Sequence, residues 1–249
     1  MADVLMEVCC GSTDDVLQAK AGGADRVELN SDLFHGGLTP SIGSLEVAKA
    51  ETGLPIMTMV RPREGGFHYT EMEFKTMLAD AKELLAHGAD GVVFGFLKED
   101  GMVDAERCRA MLDVIGGRQA VFHRAVDVVP DWRAAIDTLA SLGVTRILTS
   151  GQADNVFDGA ATVAEMIRYA RGRIQILPGA GVSAGNVREI VEKTGCTQVH
   201  VAVHRLCYDR STLGNARIFF GGAIYPPEDR YQMIDREAVG RIRAQADDR

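Results

Sequence analysis

Five ionisable side chains stand within or at the end of short apolar runs. They are Glu7 in Leu5-Met6-Glu7-Val8, Glu28 in Val27-Glu28-Leu29, His200 in Val199-His200-Val201, and Arg61 and His123 at the ends of two further runs. A charge inside an apolar strand is costly to bury without a partner. Two carboxylates, a guanidinium and two imidazoles gathered at one rim form a catalytic set, because active sites concentrate such groups. His123 or His200 would act as acid or base near neutral pH, with a carboxylate setting its protonation. The competing reading is an internal ion-pair layer, with Glu28 held by Arg26 or Arg61.

A second group of residues suits an anion. Leu148-Thr149-Ser150-Gly151 and Pro178-Gly179-Ala180-Gly181 are small-residue loops ahead of helix-length segments. Backbone N–H groups in such loops cradle phosphates or carboxylates, which makes Thr149, Ser150, Gly151, Gly179 and Gly181 ligand-binding candidates. Glycines that only permit tight turns are the plainer alternative. Gly179 to Ala184 also fits a dinucleotide fingerprint, but the acidic residue and second strand required about 20 residues later are missing. Arg61-Pro62-Arg63 stiffens two guanidinium groups, and paired hydrogen bonds from arginine suit a carboxylate or phosphate. Arg124 and Asp127, just after His123, join this ligand-binding set.

Five cysteines, an odd number, do not make a disulfide framework. Cys9 shares its face with Glu7 and would look into the site, while Cys10 would look the other way. No Cys-x-x-Cys spacing supports zinc. A soft thiolate at Cys9 would favour Cu(I) as the metal.

What must position these groups is a repeated unit. Gly23-Ala24-Asp25-Arg26-Val27, Gly88-Ala89-Asp90-Gly91-Val92, Gly143-Val144-Thr145-Arg146-Ile147 and Gly195-Cys196-Thr197-Gln198-Val199 share one pattern. Each reads as a helix ending on glycine and handing over to a strand. Strands at Val4–Val8, 25–30, Pro55–Arg61, 90–95, Gln119–His123, 145–150, Arg173–Leu177 and 197–202 make eight. Helices are expected near 13–22, 42–52, 71–87, 104–115, 131–141, 155–170, 183–194 and Ile234–Gln245, with Asp131, Asn155 and Ser183 as starting residues. Eight such units predict one α/β domain over 1–249, a (β/α)8 TIM barrel, with catalytic groups at the carboxyl ends of the strands. Residues 204–233 carry little pattern and predict a long loop before the last helix, either a lid or an oligomer contact.

Charge and hydropathy remove whole classes of function. With 27 basic against 35 acidic residues the net charge is −8, which argues against nucleic acid. No apolar run is long enough for a bilayer. The start, MADVLMEVCCGS, has no basic stretch ahead of an apolar one and predicts no secretory leader. A cytoplasmic location is expected.

The motifs together resemble the CutC family. Met6-Glu7-Val8-Cys9, Gly36-Gly37-Leu38-Thr39-Pro40-Ser41, Arg61-Pro62-Arg63, Phe122-His123-Arg124-Ala125, Leu148-Thr149-Ser150-Gly151, Gly179-Ala180-Gly181-Val182 and Val199-His200 carry the likeness, in order and spacing. The resemblance implies a cytoplasmic barrel, a homo-oligomer (dimer or tetramer), and a role in copper homeostasis with Cu(I) bound through cysteines. Cys9 matches one such cysteine. The second, after the Glu-Leu of the second strand, is Asn30 here, and the hydroxyl residues after the last strand's histidine are replaced by Val201-Ala202-Val203. Two functions follow: a copper-handling protein built on Cys9, or a barrel enzyme of unassigned reaction on a small anionic metabolite. In the second, Glu7, Glu28 and His123 would move protons. A barrel without chemistry, acting as an assembly partner, is the third.

Overall fold

The computed structural model describes residues 4–215, 217–221 and 226–247. Eight parallel strands form the predicted barrel: β1 (Leu5–Cys10), β2 (Arg26–Leu29), β3 (Ile56–Met59), β4 (Gly91–Phe94), β5 (Gln119–Phe122), β6 (Arg146–Thr149), β7 (Gln175–Pro178) and β8 (Gln198–Val201). They hydrogen-bond in the order β7-β6-β5-β4-β3-β2-β1-β8. The end strands meet through a side chain: Gln198 Nε2 donates to Gln175 Oε1 at 3.3 Å and to Ile176 O at 3.5 Å. The barrel is therefore nearly closed.

Helices α1 (Thr13–Ala21), α2 (Ile42–Thr52), α3 (Glu71–Ala86), α4 (Ala105–Ile115), α5 (Trp132–Leu142), α6 (Ala160–Ala170), α7 (Val187–Thr194) and α8 (Arg236–Asp247) follow the strands. Asp131 caps α5 as expected, accepting from the amides of Arg133 and Ala134. Asn155 and Ser183 instead close turns ahead of their helices. Asn155 Oδ1 accepts from Asp158 N, and the carbonyl of Ser183 accepts from Asn186 and Val187. Helix α6 starts only after Gly159, where a Cβ would lie 1.9 Å from Ser150 O, so the chain must first pass that carbonyl.

The predicted 204–233 loop is corrected by the structure. Two antiparallel strands, β9 (His204–Tyr208) and β10 (Arg230–Ile234), form a hairpin in its place. Neither face is deeply covered, so no alternation of apolar and polar residues marked it. Residues 216 and 222–225 of that segment lie outside the described residues. Among the described residues, no helix is long and apolar enough to cross a membrane.

The outer faces of the strands pack under the helices in one large apolar layer. Inside, Met57, Met59, Val93 and Val121 form a separate cluster on β3, β4 and β5. Alternation places Glu7 and Cys9 of β1, Glu28 of β2 and His200 of β8 on the lumenal face, so this side of the interior is polar.

Candidate functional site

Strand register brings the first cluster together. Cys9 pairs with Glu28 across β1 and β2, and Glu7 pairs with His200 across β1 and β8. One ligand atom each from Cys9, Glu28 and His200 lies within 4.8 Å of the others. His200 Nδ1 sits 2.9 Å from Glu7 Oε1, and the other Glu7 oxygen takes the Arg26 guanidinium. A carboxylate behind a histidine fixes the ring, its tautomer and its basicity, the arrangement usual behind metal-ligating imidazoles. Asn30 is the residue on which the cluster hangs. Its Nδ2 donates to Glu28 Oε1 at 3.0 Å and to Cys9 Sγ at 3.5 Å. Glu28 Oε2 and Asn30 Oδ1 are buried without a hydrogen-bond partner among the described residues.

Burial alone would raise the Glu7 carboxyl. The hydrogen bond from His200 and the charge of Arg26 outweigh it and bring Glu7 down to about 2. Burial would lower His200, but the neighbouring Glu28 and Glu7 carboxyls outweigh it and push the imidazole up. Glu28 rises, because burial and the Glu7 charge outweigh the help of His200, Asn30 and Cys9. Burial, with Glu28 alongside, pushes the Cys9 thiol well up, so its proton stays on unless a cation replaces it.

Across the barrel, Arg61 and His123 form a different environment. Arg61 donates to the carbonyls of His35, Gly37 and Gly65, and no carboxylate reaches it among the described residues. The predicted alternative, Glu28 held by Arg26 or Arg61, is corrected: Arg26 pairs with Glu7. The His123 ring lies 4.8 Å from the Phe67 ring, tilted by 51°, and the Arg61 guanidinium sits 5.6 Å from the same ring. Gly95 makes room for it, since a Cβ there would lie 2.3 Å from His123 Cε1. His123 Nδ1 accepts from Ala125 N at 3.1 Å, which leaves the proton on Nε2. Burial, then the Arg61 charge, lower this imidazole to about 3. Burial and Arg61 thus favour the neutral ring, a donor at Nε2, and the charged neighbour of His123 is Arg61 rather than the carboxylate expected from the sequence.

Arg61 Nε and His123 Nε2 are buried without a partner among the described residues, and the Tyr69 hydroxyl lies beside Arg61. Sequence reading missed Phe67 and Tyr69; their signal was the aromatic spacing in Phe67-His68-Tyr69 just after the arginines. Arg63 turns to Glu73, 2.6 Å away, and to loop carbonyls.

The loop after β6 is already engaged. Asp127 accepts from Ser150 N, Ser150 Oγ, Thr149 Oγ1 and Gln152 N, and Arg124 pairs with it at 2.8 Å. Thr149, Ser150, Arg124 and Asp127 thus satisfy one another, with the Asp127 carboxylate where an external anion was expected. Gly151 N bonds Thr149 Oγ1, and a Cβ on Gly151 would lie 2.4 Å from Gly159 O. Gly179 N donates to Thr149 O, and a Cβ there would meet Leu148 and His200. Gly181 has φ +80°, directly after Ala180 at +76°; two left-handed residues in a row explain the glycine there without a ligand.

Known proteins are similar to this chain along most of its length. A CutC protein of Treponema denticola is 49% identical over 97% of this chain and 98% of its own. The human copper homeostasis protein cutC homolog is 38% identical over 96% of this chain and 88% of its own. The crystal structure of a CutC from Streptococcus agalactiae superposes with a TM-score of 0.76 at 34% identity, covering 79% of this chain and 97% of that one. Residues 4–205 match the sequence model of the CutC family. With the barrel, the Glu7–His200 pair and Cys9 in place, this chain belongs to the CutC family.

Proposed function

We propose that this chain serves copper homeostasis by binding Cu(I) as cargo at Cys9 and His200. The observation that carries the reading is the gathering of Cys9, Glu28 and His200 within 4.8 Å, with Glu7 behind the histidine. Sulfur and imidazole nitrogen are donors that suit Cu(I), whereas a carboxylate is a harder one. Glu28 therefore serves as the nearby negative charge and proton acceptor when the Cys9 thiol gives up its proton to the metal. The naming of the human relative for copper homeostasis supports the same reading.

Anaerobic competition for Cu(I) against a chromogenic chelator tests it on wild type and Cys9→Ser. Wild type should withdraw one copper per chain and Cys9→Ser should not. Glu7→Gln should weaken binding by roughly 10–100-fold, the usual cost of losing a residue behind a metal ligand. If neither protein competes, or both compete equally, the reading is wrong.

A second reading rests on the buried donors Arg61 Nε and His123 Nε2, with the Tyr69 hydroxyl beside Arg61. They suit the oxygens of a small carboxylate or phosphate metabolite, with neutral His123 donating rather than removing a proton. A thermal-shift screen of such metabolites, repeated on Arg61→Met, tests it: a hit on wild type that vanishes in the variant supports it, and a screen with no hits overturns it.

A further inference from the structure

At the amino end of the barrel, opposite Cys9, the first residues of five strands form a polar floor. Arg26 of β2, Gln119 of β5, Arg146 of β6, Gln175 of β7 and Gln198 of β8 open their strands and line a cavity of about 530 Å³. Both arginines are nearly inaccessible, Arg146 at 2% and Arg26 at 4%. Arg26 has its carboxylate in Glu7. Arg146 makes no direct ion pair among the described residues, and the Glu7 charge reaches it only at longer range: its Nε donates to Gln175 Oε1 at 3.1 Å and its Nη2 to Gln119 Oε1 at 2.8 Å. Its Nη1 is buried with no partner among the described residues.

All three carboxamide oxygens of the floor are spent. Gln119 Oε1 takes Arg146, Gln175 Oε1 takes Arg146 and Gln198, and Gln198 Oε1 takes Arg26 at 3.1 Å. What remains is donors: Arg146 Nη1 and the amide nitrogens of Gln119 and Gln175. A buried charge without a direct ionic partner is costly, and buried polar groups such as Arg146 Nη1 are nearly always satisfied. Burial, then repulsion from Arg26, bring Arg146 down to about 10 against the opposing pull of the Glu7 charge.

The geometry points to a binding site for a small oxyanion of the phosphate class at this floor, held by Arg146 with Gln119 and Gln175. Arg146 Nη1 offers a charged donor there, the Gln119 and Gln175 amides are carried by side chains that already bond the same guanidinium, and a group with several acceptor oxygens suits this set. Gln175 is exposed and Gln119 half-buried, so both can swing aside to let the anion reach Arg146. A carboxamide oxygen yields to a charged one because charge-assisted hydrogen bonds are about twice as strong. The site lies at the opposite end of the lumen from Cys9 and does not depend on the copper reading.

Calorimetric titration with inorganic phosphate at low ionic strength tests it, with thermal unfolding in phosphate and in sodium chloride of matched ionic strength beside it. Wild type should show one saturable site and a melting temperature higher in phosphate than in chloride. Gln175→Glu changes an exposed side chain to one of nearly the same shape and sets a carboxylate beside Arg146. It should fold, melt higher than wild type in chloride, and bind phosphate at least about tenfold more weakly, equivalent to about 1.4 kcal/mol. Arg146→Gln should lose the phosphate effect. Wild type without a phosphate-specific gain, or a Gln175→Glu protein that binds phosphate as wild type does, overturns the site.

Discussion

His123 and His200 lie in one barrel lumen, each nine-tenths or more buried, yet their charges are opposite in tendency. His200 has Glu7 at 2.9 Å and Glu28 beyond, and these carboxyls hold it up against burial. His123 has Arg61, Phe67 and a backbone amide around it; the Arg61 charge adds to burial, and a backbone hydrogen bond opposes them only weakly. Depth decides only that a shift will be large; the sign comes from the neighbours. The β1–β2–β8 side of the mouth thus gathers carboxyls, and the β3–β5 side presents neutral or positive donors.

The largest way to break this contrast is Glu7→Gln. It strands Arg26 and His200 without their shared carboxylate, and removing one member of a buried pair costs about 3–5 kcal/mol. Urea unfolding at pH 7 should show that loss, and the NMR titration of His200 should move to lower pH. An unchanged His200 would mean that Glu28 alone sustains its charge.

The pH dependence sharpens the contrast. Folded His123 titrates near 3 against an ordinary 6.5, so the unfolded chain binds the extra proton. Its contribution is complete above pH 6.5 and is lost as pH falls toward 3, at about 1.4 kcal/mol per pH unit. His200, raised above 6.5, works the other way: its contribution is complete below 6.5 and is lost as pH rises through its folded value. Unfolding of wild type and His123→Gln at pH 6.5 and 5 should differ in slope, with the variant losing less stability in acid. Equal slopes would place His123 in water.

The smallest effect concerns the rim. Arg63→Ala removes a half-exposed pair with Glu73, for which exposed ion pairs suggest a loss of about 1 kcal/mol or less. Cu(I) competition should not change. A large loss of copper binding would instead extend the site to the loop after β3.

Much of the site could be read because strands alternate strictly. Glu7 and Cys9, two residues apart, had to share a face, and the charged residues inside apolar strands pointed to the lumen, whereas Thr58, between the lumenal Met57 and Met59, faces outward and bonds Gly91 O. Which of these residues meet could not be read. Register set Glu7 beside Arg26 and His200 rather than leaving Glu28 to Arg26. Asp127 was expected to bind a ligand and instead fills the loop after β6, because a contact across more than 20 residues leaves no local pattern. The hairpin at 204–208 and 230–234 escaped for another reason: both of its faces meet water, and periodicity appears only where one face is buried.

The sequence by itself determined the number of strand–helix units, the lumenal side chains and the kinship with CutC, since each is written in local spacing. The tertiary structure alone decided which carboxylate meets which base, which histidine stays neutral and which buried arginines make no direct ion pair among the described residues. Those depend on distances between strands far apart in the chain, and the electrostatic energy of a buried group depends on those distances rather than on its place in the sequence.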